Sequence, residues 1–123
     1  MLALRLALGS STGAHDGRTL VFDEVDAGIG GEAALAVGRA LADLGHVSQV
    51  LVVTHLPQVA AFADRQIAVA KGEVEGRTVS DARLLDDAGR VVELSRMLSG
   101  QPESQAARGH AEELLAVARQ RSR

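Results

Sequence analysis

Asp23 and Glu24 are adjacent acids at the end of the apolar run Thr19-Leu-Val-Phe22, and His55 ends a second run, Gln49-Val-Leu-Val-Val-Thr54. A short run that is apolar throughout reads as a strand buried on both faces, which gives the residue at its end a rigid mount. Two carboxylates held this way can divide the work of attacking a phosphate with water. One holds a divalent cation through hard oxygen ligands, and the other polarises the water. Asp23 suits the first role and Glu24 the second, while an imidazole at position 55 can hydrogen-bond a terminal phosphate or the water itself. A plainer assignment competes with this one, because acids after a strand also serve as turn residues or helix caps.

The elements that must position these groups follow from periodicity. Glu32 to Leu44 repeats apolar residues at helical spacing, at Leu35, Val37, Leu41 and Leu44, and Gly45 follows as a stop. Pro57 suits the first turn of a further helix through Phe62. The order strand, helix, strand, helix predicts an α/β fold: a parallel sheet with right-handed crossovers and flanking helices. Ligands bind such a sheet at the C-terminal ends of its strands, so Asp23, Glu24 and His55 are expected at one edge. Gln66–Ala70 predicts a third strand, the Glu75-Gly76 turn a hairpin, and Arg77–Leu85 its returning strand. Helices are expected over Val91–Leu98 and Glu103–Arg119. Residues 1–9, rich in Ala, Leu and Arg, predict an opening helix stopped by Gly9. It lacks an N-capping residue, as a helix cut from a longer chain would.

Composition narrows the function classes. The chain has 123 residues, is 46% hydrophobic and 24% charged, and carries a formal charge of −3, as expected of one soluble domain or a piece of one. Without cysteine it has no disulfide and no thiolate metal site. No apolar run reaches the ~18 residues of a membrane span, and the opening residues do not form a signal peptide, so a cytoplasmic protein with no membrane partner is expected. Phe22 and Phe62 are the only aromatic residues, too few to stack single-stranded bases. With a negative net charge and no basic stripe, direct DNA binding is not assigned.

Val21-Phe-Asp-Glu-Val-Asp-Ala-Gly-Ile-Gly-Gly31 and Val52-Val-Thr-His55 resemble the Walker B, D-loop and H-loop of the ATP-binding-cassette ATPases, in their SMC-like branch. Within that branch, Thr54-His-Leu-Pro-Gln-Val-Ala-Ala-Phe-Ala-Asp64 and Arg90-Val-Val-Glu-Leu-Ser-Arg-Met-Leu-Ser-Gly100 are similar to the C-terminal end of the RecN family of bacterial DNA repair proteins. The resemblance covers almost the whole chain. It implies residues 1–123 as the C-terminal half of an ABC/SMC-like P-loop NTPase head, with ATP and Mg²⁺ as cofactors. It implies Asp23 as the metal-binding acid, Glu24 as the catalytic base and His55 as the switch histidine. Asp26, Gly28 and Gly30 fall in the loop that meets ATP and a partner subunit. The implied partners are the missing N-terminal half of the same head, a second head in an ATP-dependent dimer, and DNA through the parent protein at the bacterial nucleoid.

Two parts of such a head are absent from the sequence. A Walker A loop requires G-x-x-x-x-G-K-[ST], whose amides and lysine hold the phosphates, and the only lysine lies in Ala70-Lys71-Gly72. The Ser-Gly-Gly signature is missing as well; Leu98-Ser-Gly-Gln101 reads instead as a helix end before Pro102. The resemblance places the Walker A strand beside the strand ending at His55, so a gap or an uncovered edge is expected there. The chain alone is expected to be inactive as an ATPase. Two other readings stand beside this one. The first is a Mg²⁺-dependent Toprim-like phosphotransfer domain built on Asp23, Glu24 and Asp26. The second is a non-catalytic dimerisation module in which Gly28, Gly30 and Gly31 only permit a tight turn.

Overall fold

The computed structural model describes the backbone of residues 4–8 and the whole of residues 19–23 and 30–120. The strands β1 (Leu4–Leu8), β2 (Thr19–Asp23), β3 (Gln49–Thr54), β4 (Arg65–Val74) and β5 (Arg77–Leu84) form one sheet in the order β2-β3-β1-β4-β5. The described helices are α1 (Gly31–Gly45), α2 (Pro57–Ala60), α3 (Asp87–Ser99) and α4 (Gln105–Gln120). β2 and β3 run parallel with α1 between them in the chain, as the apolar runs predict. β1 runs antiparallel to both of its neighbours, so β3 and β4 point the same way and the sheet is mixed rather than parallel throughout. The class is α/β.

Two expectations about the opening residues are corrected. Leu4–Leu8 is a strand, not part of a helix. Leucines at 2, 4, 6 and 8 recur every second residue, the period of a strand, and ladders to β3 on one side and β4 on the other outweigh the helical preference of Ala, Leu and Arg. The same strand removes the expected gap. β1 lies against β3, with Leu4 opposite Thr54 and Leu8 opposite Val50, so the strand leading to His55 is paired on both sides.

α1 also ends differently from the expectation. It runs through Gly45, which is buried, and closes on His46 in a right-handed conformation, so Gly45 is not a left-handed stop. The hairpin between β4 and β5 follows its local sequence: Glu75 at φ 51° and Gly76 at φ 75° form the two-residue turn that joins Val74 to Arg77. α3 stops at Gly100, left-handed at φ 74°, whose amide donates to the Arg96 carbonyl, so Leu98-Ser-Gly-Gln101 is indeed a helix end.

The core lies between one face of the sheet and the helices. Val50 and Val52 of β3 are fully buried, and Leu20 and Phe22 of β2 join them from the neighbouring strand. α1 packs on β3 and on α2, α2 on α3, and α3 on α4. Among the described residues, Leu94 has no exposed surface and is the largest of the fully buried side chains. α1 and α2 approach closely because Gly38 has no side chain. A Cβ there would sit 2.6 Å from Phe62 Cδ2 and 3.0 Å from the Gln58 carbonyl oxygen.

Candidate functional site

The register of the two parallel strands decides where the candidate residues stand. Asp23, the last residue of β2, lies opposite Val53 of β3, and His55 follows two residues later. Strand rise and spacing put positions 23 and 55 roughly 8 Å apart at the C-terminal end of the sheet. Both residues are exposed. Glu24, Asp26 and Gly28 lie outside the described residues. Gly30 is described and is the N-cap of α1, its carbonyl accepting from the Ala34 amide at 2.8 Å.

The His55 corner is held from both sides. Thr54 is buried at the end of β3, and its hydroxyl oxygen accepts from the Leu56 amide at 3.0 Å. Pro57 then opens α2 with φ already set for a helix. A threonine two residues ahead of an amide, followed by proline, is a local turn signal, so this positioning role of Thr54 was available in the sequence and was missed there.

Arg90 fixes the far end of α2. Its Nε donates to Gln66 Oε1 at 3.1 Å and its Nη2 to the carbonyls of Ala60 and Ala61, both at 3.3 Å. A cation there is favourable at the carbonyl end of a helix, where it adds to the Ala63 amide that already donates to the Ala60 carbonyl at 3.1 Å. Burial pushes the Arg90 guanidinium below its ordinary range; Asp87 opposes the shift, Arg119 adds to it, and Asp64 opposes it. Gln66 is itself fully buried, with its Nε2 unpartnered. No local pattern announces this network, because its residues are 24 to 30 positions apart.

Gly30 and Gly31, at the start of α1, are not in the left-handed region, and Gly28 lies outside the described residues. Gly30 has φ −103°, and a Cβ on Gly30 or Gly31 would meet nothing within 4 Å. Neither is demanded by a left-handed turn or by crowding among the described residues. Lys71 is exposed in the middle of β4, opposite Ser80, in a hairpin strand and not in a loop leading into a helix. It is not a phosphate-loop lysine. Among the described residues, no three His, Asp or Glu side chains form a group able to hold a metal, and no helix is long and apolar enough to cross a membrane.

An exposed carboxylate at a strand end is a suitable ligand for a hard divalent cation, and an exposed imidazole one strand away suits a phosphate oxygen.

No protein-family model matches the chain. Curated proteins do. The chain is similar to "DNA repair protein RecN" of Streptomyces coelicolor, 59% identical over 101 residues, which is 82% of this chain and 18% of that protein. The Mycobacterium leprae protein of the same name is 52% identical over 119 residues, covering 97% of this chain and 19% of the relative. The Deinococcus radiodurans protein is 53% identical over 116 residues, or 94% and 20%. The chain thus spans 18% to 20% of the length of these relatives.

Proposed function

Because this chain is related over most of its length to a part of DNA repair protein RecN, we propose that it is the C-terminal segment of a RecN-like ATPase head acting in DNA double-strand-break repair. It supplies the metal-binding and water-activating side of an ATP site. The observation that carries the reading is the register of β2 and β3, which ends both strands at one edge and sets Asp23 one strand from His55.

In this reading Asp23 holds Mg²⁺ directly or through water. Glu24, the next residue, accepts a proton from the attacking water, and His55 orients that water or a terminal phosphate oxygen from its braced corner. Mg²⁺ and ATP, when bound, supply the charge neutralisation and the phosphoryl group. Asp26, Gly28 and Gly30 lie on the loop that meets ATP and a second head. The phosphate-gripping lysine and the partner-facing signature come from the rest of the head, and DNA is engaged by the parent protein in the bacterial cytoplasm.

The test follows from the division of labour. The 123-residue chain alone hydrolyses no ATP, whereas Glu24→Gln at the matching position of an intact relative gives a head pair that binds ATP and turns it over at least about 100-fold more slowly, the usual worth of a general base. Turnover by the chain alone that disappears with Glu24→Gln overturns the inactivity. An intact relative whose turnover is unchanged by the substitution overturns the site.

A further inference from the structure

α2 is a single turn, about 6 Å long, so whatever holds its last carbonyls also holds its first residue. Three hydrogen bonds lead from α3 back to the end of β3. Arg90 Nη2 donates to the Ala60 carbonyl at 3.3 Å, the Ala60 amide to the Leu56 carbonyl at 3.1 Å, and the Leu56 amide to the Thr54 hydroxyl oxygen at 3.0 Å. His55 lies between Thr54 and Leu56, so both of its neighbours are anchored while it stands exposed. The further bonds of Arg90, from Nε to Gln66 Oε1 of β4 and from Nη2 to the Ala61 carbonyl, fix the plane of the guanidinium as a point-charge cation could not.

Stability alone does not call for this arrangement. Among the described residues, the three hydrogen bonds of half-buried Arg90 all go to uncharged oxygens, and fully buried Gln66 leaves its Nε2 unpartnered. Desolvating a guanidinium and an amide in this way costs free energy that an apolar pair of the same volume would not. What the planar donor supplies is geometry. It clamps the far end of α2 to α3 and β4, while Phe62, just beyond that end, packs against Gly38 of α1. We infer that Arg90 is a positioning residue for His55, setting from α3 the angle at which that residue leaves the sheet edge. The inference rests on the reading of His55 as part of an ATP site, and it adds what orients that histidine.

Two measurements test it. In the 123-residue chain, Arg90→Met removes the donors and keeps an unbranched stem, whereas Arg90→Lys keeps the charge and loses the fork. Both are expected to turn the N–H vectors of His55 and Leu56 by at least about 10° relative to β3, read from NMR residual dipolar couplings, a misalignment large enough to matter for a reacting group. Unchanged vectors in a folded variant overturn the inference, and the lysine variant serves should the methionine variant not fold. In an intact relative with arginine and histidine at the matching positions, Arg90→Lys is expected to lower kcat about tenfold with KM for ATP within about twofold. On a His55→Ala background the same change should cost less than about twofold, because a residue that acts through His55 has nothing left to position. A full tenfold loss on that background overturns the inference. Turned N–H vectors together with a His55→Ala variant of normal turnover sink the ATP-site role of His55 and leave its positioning by Arg90 standing.

Discussion

Val52 and Val21 sit in neighbouring parallel strands, yet the first has no exposed surface and the second keeps 66% of its own. The difference is one of face, because successive residues of a strand point to opposite sides. Positions 50 and 52 meet α1 and the rest of the helical layer, whereas position 21 meets solvent. The covered face contributes the fold's stability. The opposite face is only partly covered, with Leu51, Val53 and Ile67 half-buried and Val21 exposed, and the candidate residues Asp23 and His55 stand at the C-terminal edge shared by the two faces.

Substitutions of graded severity can break or sharpen that contrast. Val52→Asp places an unpaired charge in the core and is expected to cost more than about 4 kcal/mol, leaving no cooperative unfolding transition at 25 °C. Leu94→Ala, which opens a cavity between α3 and its neighbours, is expected to lower stability by about 2 to 5 kcal/mol in denaturant titrations. Gly38→Ala drives a methyl group against Phe62 and the Gln58 carbonyl and should cost about 1 to 3 kcal/mol, mostly as faster unfolding. Asp86→Ala removes the cap that accepts from the Gly89 amide at 2.7 Å, for a loss of about 1 kcal/mol in the same titration. Val21→Thr on the partly covered face should stay within about 0.5 kcal/mol of the parent chain. If Val21→Thr proves as costly as Leu94→Ala, the partly covered face is part of the core and the contrast fails.

What could be read without coordinates was local. The Glu75-Gly76 turn needs two positive φ angles, and such residues announce it. The stop at Gly100 before Pro102 and the start at Pro57 are likewise set within a few residues of themselves. The opening strand was misread because nine residues carry two signals, a helical composition and a strand period. Only the partners on either side, β3 and β4, decide between them. Gly38 shows the same limit in another form. In sequence it is a helix residue that weakens α1, and in the fold it is what lets Phe62 approach.

The candidate site divides in the same way. That Asp23, Glu24 and His55 end apolar runs is a property of the chain, since a buried strand is written in its own residues. That positions 23 and 55 stand on adjacent strands at one edge is a property of the pairing, which depends on the crossover through α1. The grip of Arg90 on Gln66 and on the end of α2, and the asymmetry between the covered and partly covered faces, exist only after residues distant along the chain have met. Local preferences and periods act over a few residues and survive in the unfolded chain, whereas burial and register are created by the cooperative closure of the whole fold.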